Sequence, residues 1–451
     1  MRPAIGRALG SRGGYALAVV VIIMFALGVI AASFIALAGY ETRASHTDLA
    51  KQRAFWLAEA GKERALRWMA SLTRPPETDV RIYTAAAGPD GGSYTVDCLV
   101  DSAGIYQVEK WFVLDCVGRS EGVERRIRQR IRMTSFAQYA YFTDDERTPG
   151  GQYIWFISAD QIHGLVHSNG TFRIAGSPRF FDEVTSAANR MIGYQNYSVY
   201  DPSGWPVGGN APVFDESFRL NVPSIPLPTQ TLDLKAEAQS GGLFLAPAST
   251  IELGKLADGT VTPGWLRYRN TPPPNGPWTG VRISSLGKKV VYVNNPLEVS
   301  GRLDGEVTIG CLRDITIVDD ITYWGSSAAG TPPPGCDDLL GLVAERNIIF
   351  DNSSATVDLK INAVLMALNT SITAEDYGTR PPCGNLTIWG GLIQKYRGPV
   401  GTFRNGVLQT GYAKDYHYDT RVTARTPPAF PLTGVYQEAS WMETWDASYP
   451  F

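Results

Sequence analysis

"YALAVVVIIMFALGVIAASFIALA", Tyr15 to Ala38, runs for 24 residues without a charged side chain, long enough for a helix to cross a bilayer. Arg2, Arg7 and Arg12 precede it. Basic flanks stay on the cytoplasmic side, so the residues that follow are expected to be exported. A cleaved secretory signal would have a shorter apolar core and a small-residue cleavage site after it. Here the apolar run leads directly into more helix-forming sequence.

No proline occurs between Pro3 and Pro75, and residues 41–72, "ETRASHTDLAKQRAFWLAEAGKERALRWMASL", are rich in Ala, Leu, Glu, Lys and Arg, all good helix formers. Leu49, Trp56, Ala60 and Leu66 are read as one apolar stripe on a polar helix. Arg74-Pro75-Pro76 ends it. A continuous helix from Tyr15 to Leu72 would be about 85 Å long at the usual rise per residue.

The whole chain has 451 residues, with 44% hydrophobic and 19% charged, which fits a folded protein of two or three domains. A net charge of −3 gives no general attraction to nucleic acid or anionic lipid. Aromatic residues at 11%, with 46 glycines and 29 prolines, suggest an extracytoplasmic β-rich body. The five cysteines, Cys98, Cys116, Cys311, Cys336 and Cys383, include no CxxC pair, so no structural zinc site is expected.

The leader ending "SRGG", the aromatic Tyr15 that opens the apolar helix, and "AFWLAEAGKERAL" from Ala54 to Leu66 together resemble a type IV prepilin, in particular the PilX-type minor pilins. The resemblance implies a prepilin leader over 1–14, cleavage between Gly14 and Tyr15 by prepilin peptidase, and a pilin stem over 15–76. It implies a single-pass protein of the bacterial inner membrane with most of the chain periplasmic, or carried to an extracellular pilus tip. The implied partners are other minor and major pilins, the pilus assembly platform and prepilin peptidase. Major pilins carry a Glu five residues into the mature chain, where this sequence has Val19. That departure suits a tip or initiating subunit, or one retained in the membrane, better than the repeating filament body.

Residues 77–140 alternate in strand fashion, with "DSAG" at 101–104 as a hairpin loop, and are read as a small antiparallel sheet capping the stem. Cys98 and Cys116 fall in neighbouring strands. In an oxidising periplasm they are disulfide candidates, with two buried thiols the alternative. "RRIRQRIR" at 125–132 places Arg126, Arg128, Arg130 and Arg132 on one strand face. With only Phe136 as a nearby aromatic, base stacking has little support, and no nucleic-acid partner is expected. A solvated face or a contact with acidic neighbours is the reading.

From 141 to 440, short Val-, Ile- and Leu-rich pieces such as "VVYV", "DITIV", "NIIF" and "LTIWGG" are separated by Gly, Asn and Asp turns, which suggests a stacked β-solenoid or an irregular sandwich; the expectation adopted is a β-solenoid-like (β-helix) body. Residues 201–280 hold 12 of the 29 prolines and read as an excursion from it; 441–451 read as a C-terminal tail. The fold class is therefore α+β, mainly β. "GLVHSNGTFRIAGSP", "DDLLGLVAERNIIF", "GGLIQKYRGPVGTF" and "TGYAKDYHYD" resemble a domain of unknown function that follows PilX-type stems, over roughly 140–440. That resemblance carries no activity and no ligand.

Among candidate sites, "HGLVHSNG" at 163–170 puts His163 and His167 four positions apart. No Asp or Glu lies between Asp160 and Asp182, so the pair is read as a turn, with Asn169 left-handed and His167 bonded to backbone, and not as a metal site. Asp144-Asp145, Asp319-Asp320 and Asp337-Asp338 point to opposite strand faces and match neither a catalytic dyad nor a calcium loop. The tyrosine-rich stretch from Tyr396 to Asp419, with Lys414, Asp415 and His417, is read as a cap on the solenoid's end, with sugar or protein binding the other reading. No catalytic, cofactor or metal residues are assigned. The expected function is a minor pilin-like structural component and not an enzyme. The alternative is a membrane-tethered β-helix carbohydrate-binding protein or carbohydrate-active enzyme.

Overall fold

A computed structural model describes residues 13–72, 75–88, 91–100, 109–271, 275–351, 358–404 and 407–444. The proline-free N-terminal sequence forms one helix, Gly13–Ala70, of 58 residues, about 87 Å long. No part of its apolar first half is buried among the described residues. The second half is docked, through Ala50, Ala54, Leu57, Ala58, Gly61, Ala65 and Met69.

That buried seam is not the stripe expected from Leu49, Trp56, Ala60 and Leu66. Leu49 and Trp56 are 48% and 67% exposed, and Ala60 and Leu66 are half-buried. The reason is steric. At Ala54 and Ala58 the sheet approaches the helix so closely that only small side chains fit, while Leu57 and Met69 fill the interface elsewhere. At the closest point a Cβ on Gly118 would lie 1.9 Å from the Ala54 carbonyl oxygen and 2.6 Å from the Ala58 nitrogen.

The sheet contains, in order, Val80–Ala87, Ser93–Val100, Glu109–Ser120 and Val123–Ser135, all antiparallel. The expected "DSAG" loop lies outside the described residues. A fifth strand, Leu432–Thr444, pairs with Val123–Ser135. The expected tail from 441 is thus corrected: 441–444 belong to this strand, and 445–451 lie outside the described residues. The strand closes an otherwise open edge. It also makes use of the arginine run. Arg125 pairs with Glu443, and Arg132 donates to Gln437 at 3.1 Å. Arg126 and Arg128 lie 3.4 and 3.3 Å from Asp115, and Arg130 sits 4.1 Å over the Trp111 ring. Ile127 and Ile131 face the helix side and are fully buried.

The body is built from strands paired in parallel with those about one coil away. One ladder runs through 243–245, 290–293, 308–311, 341–344 and 364–367 to 392–394. From there it continues into 141–143, 166–168, 184–186 and 218–219. The chain therefore enters the stack in its middle, coils outward to 219, and returns to the opposite end. It then coils back until 392–396 seats against 141–145. Two further ladders, one through 249–253, 297–299, 315–317, 348–350 and 372–374 and one through 301–303, 321–323, 359–361, 386–390 and 413–418, complete the coils of the longer half. Inside are columns of Val, Ile and Leu such as Val291, Ile309, Leu342 and Leu365, the near-continuous apolar runs that buried parallel strands require.

The proline-rich segment 201–280 is only in part an excursion. Residues 220–231 cross the molecule, but Leu232–Gly241 is a helix, and Ser249–Lys255, Val261–Asn270 and Thr279–Arg282 form an antiparallel unit on the first coil. Among the described prolines of the segment, only Pro263 lies within a strand, so the segment loses few ladder hydrogen bonds to them.

Gly118→Val should force the sheet off the helix and lower stability by about 1–3 kcal/mol, the usual cost of overpacking. Gly378, with open space around its Cβ position, supplies the control: Gly378→Ala should leave the thermal unfolding midpoint unchanged.

Candidate functional site

Where the two halves of the stack meet, their faces do not join equally. On one face, Leu392 pairs with Tyr141 and Gln394 with Thr143 in unbroken parallel register. On another, strand Val407–Tyr418 faces Gln161–Ile162, and no backbone pairing joins the two among the described residues. The gap is a cavity of about 290 Å³ between 159–163 on one side and 414–417 on the other.

Its floor is ionic and aromatic. The Arg397 guanidinium, almost wholly buried, lies 3.9 Å over the Phe156 ring and donates to Glu146 at 3.2 Å. Burial opposes its charge, but its surroundings, Glu146 and Asp160 among them, more than offset this and hold it protonated. Glu146, equally buried, also accepts from the hydroxyl of Thr143, which gives the carboxylate the partners a buried charge needs. Lys414 donates to Asp160 at 3.2 Å. Burial lowers its ammonium pKa, with Asp160 acting in the opposite direction. Burial also raises the Tyr416 phenol. At the mouth, His417 meets Asp415 at 2.9 Å and stacks on Trp389 at 4.4 Å. His163 stacks on Phe181 at 3.8 Å.

The expected end cap from Tyr396 to Asp419 is thus corrected. Val407–Tyr418 is an internal strand, paired with 382–390 and lining the cavity with Lys414, Asp415, Tyr416 and His417. The density of tyrosine, lysine, aspartate and histidine there, and His163 of the histidine pair, were the legible signs of the site. Asp160, Glu146 and Arg397 gave no such sign, because their partners lie far away in sequence.

The histidine pair is split by the fold. His163 stands at the cavity, while His167 is buried behind it, 5.1 Å from the Phe142 ring. Its ring nitrogens meet Thr185 at 2.8 Å and Asn169 at 3.0 Å, so its partners are side chains and not the expected backbone. Nor is Asn169 left-handed. Its amide donates to Asp144 and the Ile225 carbonyl and accepts from the Ile225 backbone N–H. The crossing segment supplies the partners that a local turn would have supplied. Among the described residues, no group of three or more His, Cys, Asp or Glu is placed to hold a metal. The acidic pairs secure corners: Asp145 holds Arg147, Asp320 accepts from the Lys360 backbone, and Asp338 accepts from the Gly305 backbone.

Tyr15 is 84% exposed near the start of the helix; leader residues 1–12 lie outside the described residues. Cys98 and Cys116 are free, fully buried thiols, so the expected bridge is not formed in this structure. The register explains it. Cys98 opposes Leu114 and Cys116 opposes Val96, a diagonal relation that leaves roughly 7–8 Å where a disulfide needs Cβ atoms about 4 Å apart. Burial pushes the Cys98 thiol up to about 12 and the Cys116 thiol higher still.

A family model described as Domain of unknown function (DUF4900) matches residues 113–189, from the stem sheet into the first coils. No curated protein sequence matches the chain. Among solved structures, the chain is similar to the crystal structure of competence-associated pilin ComZ from Thermus thermophilus. The identity is 14% and the TM-score 0.33, over 88% of this chain and 97% of that one.

Two outcomes follow from the burial. His167 titrates below its ordinary 6.5 because burial disfavours its charged form. The unfolded chain takes up that proton first, so stability should fall as pH drops from 6.5 towards the lower folded value. In His167→Gln this part of the pH profile should flatten, which chemical denaturation across the range would show. In the folded protein, a brief alkylation at mildly alkaline pH should label the half-buried Cys336 and Cys383 ahead of Cys98, Cys116 and Cys311, as mass spectrometry would resolve.

Proposed function

We propose that the chain is a minor pilin-like structural component of a type IV pilus or a related secretion filament. The observation that carries this reading is the division of the Gly13–Ala70 helix. Its first half is apolar and exposed among the described residues, suited to a membrane and then to a helical filament core, while its second half is fixed to the sheet by a buried seam of mostly alanine and glycine with Leu57 and Met69. A single-pass anchor has no need of an amphipathic extension of this length packed on its own domain.

In this reading the helix holds the protein in the bacterial inner membrane. The coiled body stands on the periplasmic side, or outside the cell when the subunit sits at a pilus tip. The partners are other minor and major pilins, the assembly platform and prepilin peptidase. Leu49 and Trp56, exposed outside the docked seam, supply contact area for a neighbouring stem. We read the body as a display module and not as an enzyme, since each cation of its cavity is already matched to a carboxylate.

Processing tests the proposal. Prepilin peptidase needs a small residue before the cut, which Gly14 provides, and co-expression should yield a mature amino terminus at Tyr15. Gly14→Ile should abolish cleavage. An amino terminus still at Met1 in the presence of the peptidase would refute the assignment. With Val19 at the position of the usual carboxylate, the processed protein should be scarce in sheared filaments relative to membranes, and Val19→Glu should raise its share.

A further inference from the structure

We infer that the cavity between 159–163 and 414–417 is a binding site for one neutral monosaccharide ring, such as the terminal hexose of a glycan. The inference does not depend on what the stem does. It begins with how the cavity arises. The ladder through Leu392 and Tyr141 continues across the junction, while the strands on the neighbouring face are held apart. The opening is therefore built into the register where two halves of one stack meet. At about 290 Å³ it stands at the small end of ligand pockets, which run from roughly 300 to 1,000 Å³. One sugar ring fits that space and an extended oligomer does not.

The charge pattern selects the ligand. Arg397 is matched by Glu146 at 3.2 Å, Lys414 by Asp160 at 3.2 Å, and His417 by Asp415 at 2.9 Å. An anionic ligand would gain from Lys414 but would bring its charge against Asp160 and Asp415. A cationic one would face Lys414 and Arg397. A ring of neutral hydroxyls avoids both penalties, because each hydroxyl donates to a carboxylate oxygen while accepting from an ammonium or guanidinium. An ammonium has three donors, and the Lys414 side chain, 28% exposed, shares one with Asp160. Burial leaves that ammonium short of water, so a ligand hydroxyl restores solvation it has lost.

Shape points the same way. Tyr416, half-buried, lines the cavity beside the charged groups and supplies an apolar face for the C–H side of a pyranose, over a floor closed by the buried Tyr141 and Phe156, while the polar groups take its hydroxyls. Asp415 and His417, 41% and 39% exposed, stand at the mouth, and Asp160 lies deeper at 10%. A ring entering past Asp415 would reach Lys414 and Asp160 with its far hydroxyls.

The test uses the full chain in a non-glycosidic detergent. Methyl glycosides of glucose, galactose, mannose and N-acetylglucosamine are titrated by calorimetry and ligand-observed NMR, with glucuronate and glucosamine as charged comparators. The expected result is one-to-one binding of at least one neutral glycoside, with an affinity nearly independent of ionic strength. Lys414→Gln and Asp415→Asn should each weaken it by about tenfold or more. Asp415 lies at the mouth, so Asp415→Asn should keep the wild-type thermal midpoint and decides the matter even if Lys414→Gln unfolds. Three results would overturn the inference: no binding of any neutral glycoside, tighter binding of glucuronate or glucosamine, or a neutral binder that folded Asp415→Asn holds unchanged.

Discussion

The seating of 392–396 against 141–145 is the contact on which the body depends. The chain enters the stack in its middle, so neither half is complete until this junction forms. The residues joined are about 250 positions apart, and closing so long a loop costs conformational entropy that local contacts cannot repay. Backbone pairing and apolar burial across the junction offset it, and buried polar bonds fix its register. The Arg397 backbone donates to the carbonyls of Asp145 and Arg147, and its guanidinium reaches Glu146. A buried pair of this kind adds little net stability, but breaking it leaves a charge stranded. It therefore discriminates strongly against misaligned junctions.

The same economy of long-range contacts holds the stem. Val123–Ser135 leads out of the stem sheet and Leu432–Thr444 leads back into it, side by side. Phe136 donates its backbone N–H to the Pro431 carbonyl where the two connections pass. Two adjacent, hydrogen-bonded connections resist twisting that a single linker would permit. The body is thus coupled to the helix through the sheet, and the sheet to the helix through a seam with no room for a side chain on Gly118.

Desolvation sets the electrical character of the cavity. Burial depresses the Lys414 ammonium and raises the Tyr416 phenol, while Asp160 holds the ammonium in an ion pair that is already satisfied. A site of this kind is ready to hydrogen-bond without attracting counter-ions. That property separates recognition of an uncharged, hydroxyl-rich partner from the charge-driven capture an arginine run would suggest, and here the arginines are engaged within their own sheet.

The sequence by itself determined what depends on near neighbours. The uncharged run from Tyr15 and the absence of proline to Pro75 dictated the helix, because helix formation is decided within a few turns. The short Val- and Ile-rich pieces marked strands buried on both faces, because such burial demands continuous apolar sequence, while their parallel pairing came only with the register of the fold. Tertiary structure alone decided which helix face is buried, since alanine and glycine at a close contact look unremarkable beside Leu49 and Trp56. It also decided that 432–444 returns to the stem, that Cys98 and Cys116 stand on a diagonal, and that Asn169 clamps the crossing segment at Ile225. The cavity belongs to this second group. Lys414 and Asp160 meet at 3.2 Å across 254 residues of chain, and only the register of the two half-stacks brings them together.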